Sequence, residues 1–413
     1  MLTFREARSL VIDQLTKLAP SRAPERVALG DAHGRVLSTA VLTDRDYPPF
    51  DRSTRDGYAV RAAEATPGAR LACVGEIKAG DTPPPLLAST TCLQIMTGAA
   101  VPAGADAVVM IEHTTREADS VAFTRESRPG QNIVLRGSEG RSGQIALPAG
   151  ARLGYAELAA AAQVGAAELV CAKRPRVAIL STGDEIVAVS EPSGPFQIRN
   201  SNAISLAAQV RAAGANPQIL ANAADRESDL RAKISQGLQY DALILSGGVS
   251  MGKYDLVEKV LREMGAEFFF DAVAIRPGKP IVFAACAGKP IFGLPGNPVS
   301  TMVTFELFVL PAIDILGAAA PRPLPMVQAI LAADLHEKPG MTHFLPAKIE
   351  WPPTPEGTER RAIPPGHVRA LQWQSSGDIA AMAQANCLLV VPAETAHVLA
   401  GTPVSILLRK DVV

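Results

Sequence analysis

One pattern recurs three times between residues 176 and 310: a short apolar run, a glycine-containing loop and then a helical segment. The apolar runs are residues 177–180, 242–245 and 290–293. The loops that follow read Ser-Thr-Gly-Asp-Glu at 181–185, Ser-Gly-Gly-Val-Ser at 246–250 and Leu-Pro-Gly-Asn-Pro at 294–298. Apolar runs that alternate with helices predict parallel strands joined by crossover helices. In such sheets ligands bind beyond the carboxyl ends of the strands, where glycines admit a ligand to the backbone and helix N-termini favour anions. The pattern predicts a site for a phosphate-bearing ligand, built from three loops.

The rest of the chain reads differently from this α/β stretch, and 413 residues are too many for one ordinary core. Residues 44–140 are rich in turn signals and carry only short apolar pieces, which predicts a small β-domain. A Pro-rich break at 321–325 precedes short alternating strands that predict a second β-domain. A helix predicted at 155–164 belongs to neither neighbour by pattern. If it pairs with the helix predicted at 4–18, the β-block is an insertion.

Composition limits the compartment and the partners. A hydrophobic fraction of 47% and a charged fraction of 20% are typical of a soluble globular protein. A net charge of −1 gives no general attraction for nucleic acid or an anionic membrane, so any anion must be held by local groups. The five cysteines are scattered, which fits a reducing compartment. We expect neither a signal peptide nor a membrane-spanning run, and therefore a cytoplasmic protein.

Four acidic residues follow apolar runs or lie near the starts of helices in the α/β stretch, and each is a candidate for the site. Asp184 and Glu185 are expected at the carboxyl edge of the sheet, where two carboxylates are able to hold Mg²⁺ together with substrate phosphates. The alternative is charge matching at a helix N-terminus. Asp225 either ends another strand or caps the helix after it. Asp255 adds a carboxylate near the start of a helix predicted at 254–264.

Two cations lie on the tight turn Arg-Pro-Gly-Lys at 276–279. A lone cationic turn is usually only solvated, but here the near-zero net charge and the expected anion site favour phosphate binding by Arg276 and Lys279. The third loop is stiff because two prolines fix φ and Gly296 permits an unusual turn. Its alternative role is a structural turn into a buried helix at 299–310. The six histidines are dispersed, so we expect no histidine metal site.

Seven motifs occur in a fixed order and together resemble a known family. They read Pro-Pro-Phe-Asp at 48–51 with Asp-Gly-Tyr-Ala-Val at 56–60, Ile-Met-Thr-Gly-Ala at 95–99, Ala-Asp-Ala-Val-Val at 105–109, the loops at 181–185 and 246–250, Pro-Gly-Lys-Pro at 277–280, and Gly-Leu-Pro-Gly-Asn-Pro at 293–298. This set closely resembles the MoeA family of molybdopterin molybdenumtransferases, which includes the gephyrin E domain. The resemblance extends over essentially the whole chain.

The resemblance implies a multidomain α/β plus β fold. It comprises a central parallel α/β, MogA-like domain at 175–318 and a small β-domain inserted at 44–141. An elongated, discontinuous N-terminal domain would cover 1–43 with 142–174, and a C-terminal β-barrel 319–413. It also implies a homodimer.

The implied activity is insertion of molybdenum from molybdate into adenylylated molybdopterin, with release of AMP and formation of molybdenum cofactor. Mg²⁺ is the implied cofactor, and other proteins of molybdenum cofactor biosynthesis are implied partners. One alternative is a non-catalytic gephyrin-like scaffold or a pterin-phosphate binding module. Another is a different nucleotide-phosphate enzyme on the same α/β core.

Carried over position by position, the resemblance assigns roles to individual residues. The expected catalytic residues are Asp56, Glu185, Asp225 and Asp255, of which Glu185 and Asp255 would hold the metal. Asp56 and Thr97 would close the site across the dimer. The expected substrate-binding residues are Thr97, Ser181, Gly183, Asp184, Ser246, Gly247, Gly248, Ser250, Arg276, Lys279, Pro295, Gly296, Asn297 and Pro298.

The chain departs from the family pattern at several charged positions, some of which keep their charge and some of which lose it. An expected aspartate is replaced by Glu139, an expected lysine by Ala272, and Arg276 stands where many members have lysine. In the C-terminal segment two expected arginines are Met341 and Pro346, which weakens the expectation that this segment binds molybdate. His343 and Lys348 are the candidates to compensate.

Overall fold

A computed structural model of the chain describes residues 1–18, 23–84, 86–248, 256–352, 365–409 and 411–412. Its α-helices are α1 (Phe4–Leu18), α2 (Tyr155–Gln163), α3 (Ser201–Ala213), α4 (Glu227–Gly237), α5 (Leu256–Glu263), α6 (Pro298–Thr304), α7 (Leu310–Leu316) and α8 (Ile379–Gln384). A π-helical turn, Phe305–Val309, joins α6 to α7. Short 3₁₀ turns lie at Leu29–Asp31, Ala62–Glu64 and Ile111–His113.

The strands fall into three stretches of the chain. The first holds β1 (Pro24–Ala28), β2 (Val41–Leu42), β3 (Arg52–Ser53), β4 (Gly57–Val60), β5 (Arg70–Ile77), β6 (Thr91–Ile95), β7 (Ala107–Met110), β8 (Thr114–Glu117), β9 (Ser120–Phe123), β10 (Ile133–Val134), β11 (Ile145–Leu147) and β12 (Glu168–Ala172). The second holds β13 (Arg176–Ser181), β14 (Ile186–Val187), β15 (Ile198–Arg199), β16 (Asn216–Ile219), β17 (Ala242–Ser246), β18 (Glu267–Ala272), β19 (Ile275–Arg276), β20 (Pro280–Cys286) and β21 (Lys289–Leu294). The third holds β22 (Met326–Leu331), β23 (Leu335–His336), β24 (Thr342–Glu350), β25 (His367–Ala370), β26 (Cys387–Val391), β27 (His397–Val398) and β28 (Pro403–Leu408).

The chain divides into two compact units. The first unit comprises Met1–Glu25, Gly34–Ser38 and Cys171–Val413, and the second comprises Arg26–His33 and Thr39–Val170. Helix α1 therefore belongs to the first unit and α2 to the second. The domain boundaries expected from the resemblance stay predictions.

A six-stranded sheet, in the order β16-β13-β17-β21-β20-β18, forms the centre of the first unit. Strands β16, β13, β17 and β21 run parallel, as the recurring pattern predicts, and β20 and β18 run antiparallel at one edge. Side chains of β13 alternate between two cores, with Val177 and Ile179 on one face and Ala178 and Leu180 on the other. Burial on both faces explains why these strands are continuous apolar runs rather than alternating ones.

The first-unit core is completed by two helical segments. Helix α1 begins and ends where the sequence predicts, and its buried residues Phe4, Ala7, Val11 and Leu15 share one face at helical spacing. The continuous run Pro298–Leu316 is long and apolar enough to cross a membrane by length and composition, which corrects the expectation that no such run exists. Because 83% of its most apolar window is buried within the protein, we interpret it as a core helix.

The C-terminal part of the first unit is a closed β-barrel. Five strands pair in the cyclic order β24-β25-β22-β28-β26, and β26 returns to pair with β24. This confirms the expected C-terminal barrel. The short strand β19 pairs with β24, with Arg276 opposite His343, so the cationic turn is attached to the barrel.

The second unit is built on a six-stranded sheet in the order β7-β4-β6-β5-β9-β8. Its pairings are antiparallel except for β5 with β6. Buried residues that include Tyr58, Val109 and Phe123 form its core. The turn-rich stretch is therefore a β-structure, as its short apolar pieces predict.

Candidate functional site

The three glycine-containing loops begin at one edge of the first-unit sheet. Ser181 is paired with Ser246, and Ser246 with Leu294, so the three strands end side by side. The loops are also joined directly, since the Thr182 N–H donates to the Ser246 carbonyl (3.1 Å) and the Gly247 N–H to the Leu294 carbonyl (3.2 Å). The predicted shared edge is confirmed.

Gly247 is the position in these loops where the backbone most clearly requires glycine. Its φ is +91°, and a Cβ placed on it would lie 2.9 Å from the carbonyl oxygen of Thr182. A main-chain oxygen cannot move aside as a flexible side chain can. Gly296 of the third loop approaches the same place, because a Cβ there would lie 3.6 Å from the Gly247 Cα. The second and third loops therefore approach each other closely at Gly247 and Gly296.

We expect Gly247→Ala to lower the free energy of unfolding by about 1–2 kcal/mol, the usual cost of a left-handed conformation in a residue with a Cβ. The close Thr182 carbonyl should add to this cost. Urea denaturation would measure it. Gly30→Ala is the matched control, because Gly30 has no positive φ and a Cβ added to it would have no neighbour within 4 Å; equal losses in both variants would contradict the strain.

Acidic residues gather beside the first loop. The Asp225 N–H donates to Asp184 Oδ1 (3.2 Å), and Thr182 forms a parallel bridge with Ala223, two residues before Asp225. The pKa of Asp225 is raised, first by burial and then by the negative charges of Asp184 and Glu185. Asp225 does not cap the next helix, because the N-cap position of α4 is Arg226. The capping alternative is wrong, and so is the placement at a strand end, because β16 ends at Ile219. Asp225 lies in the connection between β16 and α4, and its pKa is elevated.

Replacing Asp184 with asparagine should lower the pKa of Asp225. The substitution removes one of the neighbouring negative charges, while the amide oxygen still accepts from the Asp225 N–H. Because burial is the larger cause, the pKa should remain above the ordinary aspartate value. Carboxyl ¹³C NMR titration would measure both; a pKa unchanged from wild type would show that the two carboxylates do not interact.

The acidic side chains at this edge determine whether Mg²⁺ fits here. Among the residues that the structure describes, no group of three or more His, Cys, Asp or Glu side chains is arranged to hold a metal ion. Mg²⁺ usually takes one or two carboxylates and completes its shell with water and substrate phosphates. Mutual repulsion among Asp184, Glu185 and Asp225 leaves negative charge that a cation would offset. The chemistry of the donors fits an ion that arrives with a phosphate-bearing substrate.

The cationic turn lines a cavity of about 460 Å³ between the α/β layer and the barrel. Arg276, Lys279 and the acidic Glu337 are among the residues that line it, and the third loop contributes Pro295 and Asn297. The Asn297 side chain donates to Ser376 Oγ (2.9 Å), which fastens the third loop to the segment that closes the cavity. The cavity is therefore lined both by two cations and by the third of the glycine-containing loops.

His343 and Lys348, the two candidates to compensate for the missing arginines, do not line the cavity. His343 is only 1% exposed, and its Nε2 lies 3.0 Å from the Lys338 carbonyl. Lys348 is exposed and lies 3.7 Å from a carboxylate oxygen of Glu350. Met341 itself lines the cavity, whereas Pro346 is buried within β24. Neither His343 nor Lys348 lines this cavity, and Arg276 and Lys279 are the cations that do so within the described residues.

Four predicted site residues belong either to the part of the chain that is not described or to the second unit. Ser250 and Asp255 fall outside the described residues. Asp56 and Thr97 belong to the second unit, where the Thr97 N–H and hydroxyl donate to one Asp56 oxygen (2.6 and 2.8 Å). These bonds, the backbone one first, lower the pKa of Asp56. Glu139, the longer acid of the altered motif, is paired with Arg52 (2.6 Å).

Three asparagines that the sequence analysis did not single out hold the loops by side-chain hydrogen bonds. Asn200 Oδ1 accepts from the Ser181 hydroxyl (3.1 Å), and Asn222 Nδ2 donates to the Gly183 carbonyl (2.8 Å). Asn202 Nδ2 bonds both Ser246 Oγ (2.9 Å) and the Gly296 carbonyl (2.8 Å). The available signal was the Asn-Ser-Asn triplet at 200–202, directly before the predicted helix.

Three family sequence models match consecutive parts of the chain. They are the MoeA N-terminal region (domain I and II) at residues 2–165, the "Probable molybdopterin binding domain" at 178–314, and the MoeA C-terminal region (domain IV) at 328–408. The second match covers all three glycine-containing loops, the cationic turn and Asp225.

Relatives and a solved structure resemble the chain along its whole length. A protein of Nostoc sp. named molybdopterin molybdenumtransferase is 34% identical, over 98% of this chain and 94% of its own. A Mycobacterium tuberculosis protein named molybdopterin molybdenumtransferase 2 is 36% identical, over 98% and 99%. The crystal structure of the molybdopterin biosynthesis MoeA protein from Pyrococcus horikoshii superposes with a TM-score of 0.79 at 27% identity, covering 99% of this chain and 100% of that one. The chain belongs to the MoeA family of molybdopterin molybdenumtransferases.

Proposed function

We propose that this protein is a molybdopterin molybdenumtransferase, which inserts molybdenum from molybdate into adenylylated molybdopterin, releases AMP and forms the molybdenum cofactor. Family membership over nearly the full chain supports the activity. The observation that carries it physically is the alignment of three glycine-containing loops at one sheet edge, the third of which also lines the cavity that holds Arg276 and Lys279.

The charges at this edge suit the proposed substrates. Adenylylated molybdopterin carries phosphates and molybdate is an oxyanion, so cations and N–H groups must offset their repulsion. We assign the phosphates to the glycine-containing loops and molybdate to the cavity with Arg276 and Lys279. The third loop borders both places, which would hold the reacting anions side by side.

Asp225 is the proposed general base for the water that cleaves the phosphoanhydride bond. A carboxylate with an elevated pKa accepts a proton more readily than an ordinary aspartate near neutral pH. The raised pKa of Asp225 is supported by its burial and by Asp184 and Glu185. AMP leaves when the bond is cleaved.

Mg²⁺ is proposed to enter with the substrate phosphates. Glu185 would hold it, with Asp184 adjacent; Asp255, the second ligand expected from the resemblance, lies outside the described residues. The ion would supply charge neutralisation to the phosphates when bound.

We also propose a homodimer in which Asp56 and Thr97 of one copy complete the site of the other. Their mutual hydrogen bonds in the second unit would hold Asp56 ionised and oriented for that role.

Light scattering would test whether the protein is a dimer. Mixing an Asp56→Ala copy with an Asp225→Asn copy would test the shared site, because a shared site predicts partial recovery of activity in the mixed dimer, and none would refute it.

The decisive experiment incubates the protein with adenylylated molybdopterin, Mg²⁺ and molybdate and measures AMP. Molybdate-dependent AMP release is expected. Tight binding of the nucleotide without any release would instead indicate a scaffold or binding module. Preference for a plain nucleotide or a phosphosugar would indicate a different enzyme on this α/β core.

A further inference from the structure

We propose that Asn202 is a positioning residue that sets the spacing of the second and third glycine-containing loops. Asn202 lies in the first turn of α3, next to the loops but outside the strands that carry them. Its Nδ2 donates to Ser246 Oγ (2.9 Å) and to the Gly296 carbonyl (2.8 Å). One amide group therefore joins two loops that are 50 residues apart in sequence, since Ser246 and Gly296 differ by that number.

The orientation of the Asn202 amide is determined by its partners. Turning it over would place Oδ1 against the Gly296 carbonyl oxygen, where two acceptors repel, so the donor must face this way. In this orientation Oδ1 is buried and has no hydrogen-bond partner among the described residues. A buried acceptor without a partner costs free energy. The chain tolerates this cost at the point where the two loops meet.

Helix α3 itself is fixed to the first loop, which makes Asn202 a rigid connection. Asn200 is the N-cap of α3, and its Oδ1 accepts from both the Ala203 N–H (3.0 Å) and the Ser181 hydroxyl (3.1 Å). The same end of one helix thus reaches all three loops. Groups that bind a reacting ligand must be held to about 0.5 Å by such supporting contacts, and a shift of about 1 Å can cost about 10²-fold in rate.

This inference rests on the proposed function, and its test compares three variants at a temperature where all are folded. Asn202→Ala removes both bonds. Asn202→Asp keeps the side-chain volume but cannot donate to the Gly296 carbonyl, and it carries the test if the alanine variant does not fold. The matched control is Gln209→Ala on the same helix. Gln209 Nε2 also makes two bonds, to the Met302 carbonyl (3.2 Å) and to Glu306 (2.9 Å), and neither goes to a loop.

Both Asn202 variants should lower kcat/KM for AMP release by about 10–100-fold, while Gln209→Ala stays near the wild-type value with a comparable loss of Tm. Wild-type kcat/KM in Asn202→Asp, or a decline in Asn202→Ala no greater than in the control, would overturn the assignment. If the wild type itself releases no AMP, the proposed function fails separately. Calorimetric affinity for adenylylated molybdopterin then becomes the readout, with the same expected order of variants.

Discussion

Replacing Asp225 with asparagine should slow AMP release by about 10²–10⁴-fold, the usual contribution of a general base. Asparagine preserves the size of the side chain but cannot accept the proton from the attacking water. The wild-type rate should fall as the pH falls through the raised pKa of Asp225, because the base works only when it is deprotonated. This limb of the pH profile should disappear in the variant, and in Asp184→Asn it should move to lower pH.

The matched control is Asp13→Asn, which removes an exposed carboxylate from α1 in the same unit. It changes the net charge by the same amount, so a general electrostatic effect would appear in both variants. Circular dichroism and Tm would confirm that Asp225→Asn is folded. Wild-type AMP release by folded Asp225→Asn would remove Asp225 from the reaction.

The sequence predicted the loop edge well because the signal there is local. Short apolar runs that end in Ser181 and Ser246 and are each followed by a loop and a helix are typical of parallel strands buried on both faces, and the carboxyl ends of parallel strands lie at the same edge of a sheet. The turn at 276–279 was likewise visible as two cations beside a glycine. The attachment of this turn to the barrel through β19 could not be predicted, because β19 pairs with β24, which lies more than 60 residues later in the sequence.

The supporting residues could not be predicted, because their partners are distant in sequence. Asn202 bonds residues 44 and 94 positions away, and an asparagine before a helix is ordinarily explained by capping alone. The burial of His343 could not be predicted from the sequence either. A histidine beside a lost arginine suggests a binding role, but His343 lies in a continuously buried part of β24, residues 343–347, and is 1% exposed.

The loss of two arginines expected from the family makes the remaining cations of the cavity more important. Met341 lines the cavity without charge, and Pro346 is buried. Anion binding there should therefore depend on Arg276 and Lys279, one an exposed planar fork and the other a half-buried point charge.

Lys279→Ala should accordingly weaken the binding of molybdate and of adenylylated molybdopterin by about 10–100-fold, the range for loss of a charged hydrogen bond of about 1.5–3 kcal/mol. Because the interaction is electrostatic, wild-type affinity should fall as salt rises, and the variant should show a shallower dependence. Calorimetry at low and high salt would measure both slopes.

The control is Lys289→Ala. Lys289 is the first residue of β21, and the third loop follows the other end of that strand. Its loss changes the net charge by the same amount but removes no residue that lines the cavity. Equal weakening in the two variants would mean that the anions respond only to overall charge, and an unchanged affinity in Lys279→Ala would remove the cationic turn from the site.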